Sequence, residues 1–497
     1  MTGRPNTRVL DVGRGELPAT VERHLADGYR AAMVCGAEDR GGFRVVYVLV
    51  RPADDHRVEL VLTVPAGRPS IPSLASVSYP VGRFEREVRD LYGIHPEGHP
   101  LPQRLVRHGH WPRGWYPMRA DADPQPVFGP DVGSFPFLEV EGDGVYEIPV
   151  GPVHAGLIEP GHFRFSVVGE TILRMKARLW FVHRGVEKLF EGRPPGEALD
   201  LAEKVSGDTA VGHSLAFAMA VEDAAGLTVS EQDRWVRGLL LELERMHNHV
   251  ADIGALANDV GFGLANARAQ RLRETLLRLN KATTGHRLLR GGITVGGARL
   301  VALPDVGTVA AVGRQSAELA QLVLANSTVR DRFTGTAVLG RDAATGVGAL
   351  GYVARASGID VDARRDHPFL DLGPAFTVVL EDGGDVLSRF LVREREMAVS
   401  TALVLDLAGR LGGSTGTGPV AQPGGPAAAG LGLVEGWRGT IAHRVELDAE
   451  GRLTRVKIVD PSFFNWPALP LALADTIVPD FPLANKSFNL SYAGNDL

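Results

Sequence analysis

Arg83-Phe-Glu-Arg-Glu-Val-Arg-Asp-Leu-Tyr-Gly93 reads as a short charged helix closed by a glycine. Three β-rich runs precede it, Ala31–Cys35, Phe43–Val50 and Val58–Val64. Their separators, Asp39-Arg-Gly-Gly42 and Ala53-Asp-Asp-His56, are turn chemistry. Ahead of the runs, residues 17–28 have helical spacing, with Leu17, Val21, Leu25 and Tyr29 on one side. Helix, meander and closing helix together predict a small antiparallel α+β domain over residues 1–110. Taken by itself, the charged stretch Glu85–Asp90 also fits a solvated helical face.

Outward from there the pattern changes. Residues 111–144, rich in Pro, Gly, Asp and aromatics without periodicity, read as an interdomain linker. The second domain, 145–497, opens with strand-like Val145–Val150 and Phe163–Val168. The loop between them holds His154, Glu159, Pro160 and His162. From Thr171 onward helical spacing dominates, over Leu201–Ala225, Asp233–Val260, Ala267–Thr284, Val306–Asn326 and Gly384–Leu411. Within the first of these, Glu203–His213 is a Gly-broken loop running into an apolar helix, Ser214 to Val221. Gly412–Gly430 reads as a mobile loop. Trp437–Leu447 and Leu453–Val459 then form a hairpin around Asp448-Ala-Glu-Gly451. The predicted architecture is α+β, a small antiparallel domain followed by a large, mainly helical domain with β-hairpins.

Composition bounds the function. At 497 residues the chain is long enough for at least two cores. Hydrophobic and charged fractions of 44% and 23% are those of an ordinary globular protein. A net charge of −6 and a pI near 6.2 argue against nucleic acid as the partner. One cysteine, Cys35, excludes a disulfide framework and fits a reducing compartment. The polar N-terminus lacks an apolar signal run, and no window approaches the roughly 18 apolar residues of a membrane span. A cytoplasmic chain, free to sit against the inner face of the cell membrane, is expected.

Several motifs weaken on inspection. Gly346-Val-Gly-Ala-Leu-Gly351 matches a dinucleotide fingerprint formally, but no strand precedes it and its helix is interrupted at Ser357-Gly358. It reads as a tight Gly-rich turn, so nothing supports nicotinamide (NAD) binding by this chain. His247 and His249 lie two apart on a helix and point to different sides. His108 and His110 have no carboxylate partner at a telling spacing, and both pairs read as hydrogen-bonded or solvated. Zinc and serine hydrolase motifs are absent.

The combination of Glu85–Asp90 with Gly93-Ile-His-Pro-Glu-Gly-His-Pro100 resembles the signature of the C-type subunit of bacterial respiratory complex I. Gly151-Pro-Val-His154 with Glu159-Pro-Gly-His-Phe-Arg-Phe165 resembles the opening of the catalytic large subunit of membrane-bound hydrogenases. His183-Arg-Gly-Val-Glu-Lys188 is similar to a stretch shared by those hydrogenases and the D-type subunit of complex I. Leu243-Glu-Arg245 with His247, Arg355-Ala-Ser-Gly358, Arg365-Asp-His-Pro368 and Asn465-Trp-Pro467 continue the match in order. The resemblance covers about residues 20–497. It is to the E-type formate hydrogenlyase group of the nickel–iron hydrogenase and complex I superfamily, in which the C-type and D-type subunits are fused.

That family binds nickel and iron through two cysteine pairs. The resemblance places the early pair at Ser206 and Thr209 and the late pair at Ser491 and Gly494, so no thiolate remains. A neutral hydroxyl cannot replace a thiolate on a soft transition metal. No bound metal and no hydrogen chemistry are therefore expected. Complex I relatives use the same cleft for quinone, with a histidine matching His154 and a tyrosine whose position maps to Gly207; Tyr492 is the nearest C-terminal phenol.

The resemblance implies that the chain belongs to a membrane-associated electron-transfer complex. Its partners would be an iron–sulfur small subunit and antiporter-like integral membrane subunits. The cluster would sit in the partner, because a single cysteine cannot hold one. His154, Glu159, Asp208 and His213 would form a polar catalytic pocket, with His154 and Gly207 binding a quinone-like acceptor and a His–carboxylate pair moving protons. The alternative is a non-catalytic structural or coupling subunit of such a complex.

Overall fold

The computed structural model describes residues 6–39, 41–130, 135–154, 158–418 and 428–497. The N-terminal sheet comprises β1 (Thr7–Asp11), β2 (Arg30–Asp39), β3 (Gly42–Arg51) and β4 (His56–Pro65), in the order β1-β4-β3-β2. The antiparallel meander is present, and β1 adds a parallel edge that the sequence pattern does not announce. Helix α1 (Leu17–Ala26) buries Leu17 and Val21. Helix α2 (Tyr79–Tyr92) packs against β2 and ends at Gly93, in the left-handed region at φ 76°.

The charges of α2 are not a solvated face. Arg83, Glu85, Arg86, Glu87 and Asp90 are all buried. Each has a partner that offsets part of its desolvation. Glu85 accepts from Ser73 Oγ and Leu74 N, both at 2.6 Å. Asp90 Oδ2 caps the Leu105 and Val106 amides at 2.8 Å. Arg86 Nε donates to the Gln103 carbonyl at 2.8 Å. Arg83 donates to the Phe463 carbonyl at 2.8 Å, and Lys457 pairs with Glu87 at 2.7 Å. The last two partners lie in the C-terminal part of the chain. The same apolar core also runs from Val45 and Phe84 to Trp437, Phe464 and Phe488.

Residues 111–144 carry no helix or strand among the described ones. A three-stranded sheet follows, β5 (Val145–Val150), β6 (His162–Val168) and β7 (Thr171–Arg178). Strand β7 corrects the expectation that helices dominate from Thr171, since Gly169 turns the chain at φ 57° and returns it along β6. The helical layer contains α3 (Ala210–Ala225), α4 (Glu231–Asp259), α5 (Gly263–Thr284), α6 (Val306–Ala325) and α7 (Val386–Leu411). Helix α4 packs against α5 and α7, and α6 packs against both of those. Caps set their starts, with Ser230 accepting from Asp233 N, Asp305 from Thr308 N and Asp385 from Ser388 N.

The stretch Leu201–Ala225 holds the end of one helix, Pro195–Ala202, and α3, divided by the loop at 203–209, so the loop read at Glu203–His213 is present but shorter, with α3 starting at Ala210. A further three-stranded sheet is β8 (Ala428–Gly436), β9 (Gly439–Leu447) and β10 (Leu453–Val459). Of the loop expected at Gly412–Gly430, residues 419–427 lie outside the described residues and 428–430 already belong to β8. Helix α3 lies directly on β8, because a Cβ at Gly430 or Gly432 would meet the Ala220 or Ala216 carbonyl at 2.2 or 2.0 Å. The Gly346–Gly351 run links the helix Arg341–Val347 to Gly351–Arg355 with no preceding strand, and Gly351 (φ 62°) abuts the Arg438 carbonyl.

Candidate functional site

Five segments meet around a cleft of about 720 Å³, namely the β5–β6 loop, the loop before α3, the end of α4 at Asp259, the β8–β9 turn and the segment Phe481–Ala493. His154, Glu159, Gly207 and Asp208 all line it, together with Ser206, Arg438, Ser491 and Tyr492. One wall is apolar, formed by Val150, Ile158, Phe163 and Phe481.

His154 Nε2 lies 2.8 Å from the Gly161 carbonyl, and its ring is 5.9 Å from that of Phe163. Glu159 Oε2 accepts from the Ala493 amide at 3.0 Å, tying the hairpin to the C-terminal segment. Nothing lies within 4 Å of a Cβ built on Gly207, so that face is open.

Asp208 is gripped from behind. Arg438 donates to both carboxylate oxygens, at 2.6 and 2.7 Å, and Ser206 and Thr209 each donate at 3.0 Å. Partial burial pushes the Asp208 carboxyl up, but Arg438 and these hydroxyls outweigh it and hold the group well below the usual carboxylate range. Arg438 also donates to the Asn489 carbonyl at 2.6 Å and stacks on Trp437 at 3.9 Å. The Asp208 carbonyl accepts from Asn248 and from Trp437 Nε1. Asp208 is thus paired with Arg438, while the expected His–carboxylate pairing with His154 is not among its hydrogen bonds.

His213 is not in the cleft. It is fully buried on α3, with Nε2 at 3.0 Å from Asp460 Oδ2 and Nδ1 at 3.0 Å from His443 Nε2. The spacing after Thr209 turns it inward, one helical turn below the loop. His247 and His249 indeed face different partners, Leu243 O at 3.1 Å and Glu396 Oε2 at 2.7 Å.

Tyr492 reaches the cleft from the last helix and packs on Trp466 at 4.8 Å. Burial pushes its phenol up to about 12. Its hydroxyl lies beside the Asn485 amide without a well-aligned hydrogen bond. Arg438 is a site residue that sequence reasoning does not reach, as are Asp259 and Lys486 in the same cleft lining. The signal for Arg438 is Gly436-Trp-Arg-Gly439, a Gly-bounded turn that by composition reads as the start of a strand.

The positions that the resemblance assigns to the two thiolate pairs do converge. Ser206 Oγ and Ser491 Oγ are 2.8 Å apart, and Ser491 Oγ accepts from the Gly494 amide at 2.9 Å. The donors there are two serine hydroxyls, a threonine and a glycine. A Cβ at Gly494 would lie 2.6 Å from the Asp460 carboxylate. No group of three or more His, Cys, Asp or Glu is gathered for an ion among the described residues. These residues do not fit a nickel–iron centre, which requires soft thiolate ligands.

Three known families match the chain. They are the 30 Kd subunit of respiratory-chain NADH dehydrogenase over residues 12–126, nickel-dependent hydrogenase over 184–257, and the 49 Kd subunit of the same dehydrogenase over 259–421. Formate hydrogenlyase subunit 5 of Escherichia coli (strain K12) is 32% identical, covering 97% of this chain and 87% of that one. The C/D subunit of NADH-quinone oxidoreductase from Phocaeicola vulgatus is 30% identical over 68% of this chain and 70% of its own length. Among solved structures, a chain of the membrane-bound sulfane sulfur reductase, an archaeal respiratory membrane complex, superposes with a TM-score of 0.64. It is 25% identical, covering 71% of this chain and 99% of that one. Homologues are thus subunits of membrane-bound hydrogenase, formate hydrogenlyase and complex I-like complexes, and no helix among the described residues is long and apolar enough to cross a membrane. The chain belongs to the family of hydrogenase large subunits and fused C/D subunits of complex I, as a member related to formate hydrogenlyase subunit 5.

Proposed function

We propose that this chain is the acceptor-reducing subunit of a membrane-associated electron-transfer complex, passing electrons to a quinone-like molecule without a nickel–iron centre. The observation that carries this reading is the cleft. It is large enough for a small aromatic head group, apolar on one wall, and lined by His154 and Tyr492 with a hydroxyl floor. A partner subunit's iron–sulfur cluster would supply two electrons, since a single buried cysteine, Cys35, cannot hold a cluster in this chain.

The chain's own residues supply orientation and protons. His154, on the hairpin, has its Nε2–H engaged by the Gly161 carbonyl, so it can donate to one carbonyl oxygen of the acceptor through Nδ1 when the ring is doubly protonated. Tyr492 remains a neutral phenol at pH 7 and can donate to the other. Asp208, held ionised, fixes the loop beneath them. Two electrons and two protons convert a quinone to a quinol, and neither transfer requires a bond to the protein.

Turnover from donor to quinone by the assembled complex tests this. His154→Ala should slow it by about 10²–10⁴-fold, and Tyr492→Phe by less, with partner content unchanged on a gel. Wild-type rates in both variants would reject the site. No turnover by the wild-type complex with any donor would favour a structural or coupling subunit.

A further inference from the structure

We propose that Ser206, Asp208, Ser491 and Arg438 form a polar clasp that ties the loop at 203–209 to the C-terminal segment at 489–494. The family resemblance assigns this tie to thiolates sharing a metal. Here hydroxyls and an ion pair make it instead.

The hydrogen-bond directions are consistent only as a chain. Ser206 donates its single hydroxyl proton to Asp208 Oδ1 at 3.0 Å. Its contact with Ser491 Oγ, at 2.8 Å, must then be an accepted bond, with Ser491 as donor. Ser491 Oγ in turn accepts from the Gly494 amide at 2.9 Å. Arg438 closes the loop from the other side, gripping Asp208 with both terminal nitrogens and the Asn489 carbonyl with Nε. The hydroxyl proton of each serine thus has one acceptor, and the Ser206–Ser491 bond joins segments separated by 285 residues in sequence. Ser206 and Ser491 are 3% and 6% exposed, so water competes little for the bond between them, whereas the Asp208 side chain is 36% exposed at the cleft.

Space also works against a metal ligand at position 494. The Asp460 carboxylate occupies the volume a side chain there would need. It is held in place by His213 Nε2 at 3.0 Å and the Ser462 amide at 2.7 Å. The clasp goes beyond the acceptor reading and stands whether or not the cleft reduces anything.

Hydrogen exchange on the full chain, isolated with its native partners, tests the clasp. Ser206→Ala and Ser491→Ala should each speed exchange of the amides at 203–213 and 489–494 by roughly tenfold. Because both break one tie, the double variant should gain less than the product of the single effects. Unchanged exchange, or effects that simply multiply, would overturn the proposal. A Ser206→Cys, Ser491→Cys pair supplies a rescue that a mere volume change would not. With the hydroxyls 2.8 Å apart the sulfurs can bond, and buried Cys35 does not compete. A mild oxidant should cross-link them and restore slow exchange, and dithiothreitol should reverse it. Failure to cross-link, or fast exchange in the cross-linked chain, would equally overturn the proposal.

Discussion

Gly494 shows how much one missing side chain decides. Its neighbour Asp460 cannot swing away freely, because it caps the helix Pro461–Asn465 and pairs with buried His213. Gly494→Ala should therefore cost about 1–3 kcal/mol through overpacking, read as a lowered unfolding midpoint of the full chain. Unchanged stability would mean the site relaxes at no cost. At this scale the sequence is partly legible. The hydroxyls at 206, 209 and 491 in place of thiolates can be read directly, and so can the placement of His154, Glu159, Gly207 and Asp208 on one cleft. Arg438 cannot, because its partner Asp208 lies 230 residues away. His213 is misplaced by the sequence pattern because a helix turning from a loop can aim a residue either outward or inward, and only packing decides.

Among the elements, α2 carries the clearest pH signature. Burial pushes Glu85 up to about 7, against the lowering effect of the Ser73 and Leu74 hydrogen bonds. A carboxyl raised in the folded state contributes stability that is fully present below its unfolded value, about 4.3, and is lost as pH rises through about 7. Glu85→Gln should abolish that decline and leave the chain more stable than wild type at pH 8, by on the order of 2–4 kcal/mol. Parallel stability profiles for the two proteins from pH 4 to 8 would contradict it. The helix is legible from its glycine stop, but its burial is not, since charges on a helix announce solvent unless their distant partners are known. The unannounced strands β1, β7 and β8 share one cause. Each is defined by pairing with a neighbour, while its own composition is mixed or glycine-rich.

For the whole molecule, the two family modules are joined by buried charge as well as apolar surface. Arg444 pairs with Glu59 at 2.9 Å, Lys457 with Glu87, and Arg455 donates to the Gly36 carbonyl at 3.0 Å. What remains uncovered lies elsewhere. An aromatic groove of about 350 Å³, lined by His108, Trp111, Phe128 and Phe181, opens at the surface, and Val127, Leu138 and Val153 are exposed. Relatives of the chain are subunits of membrane complexes, so under the proposed function the chain should co-purify with an iron–sulfur protein and membrane subunits. A monodisperse chain without partners in native membranes would count against assembly.

The measurement that bears most directly on the proposed function is stopped-flow reoxidation of the purified complex after its clusters have been reduced chemically under anaerobic conditions. Mixing with a short-chain quinone should reoxidise the clusters and release quinol, about 10²–10⁴-fold more slowly in the His154→Ala complex. Metal analysis of the same sample should find no stoichiometric nickel. Clusters that stay reduced in the presence of quinone, or hydrogen evolution accompanied by about one nickel per chain, would contradict it.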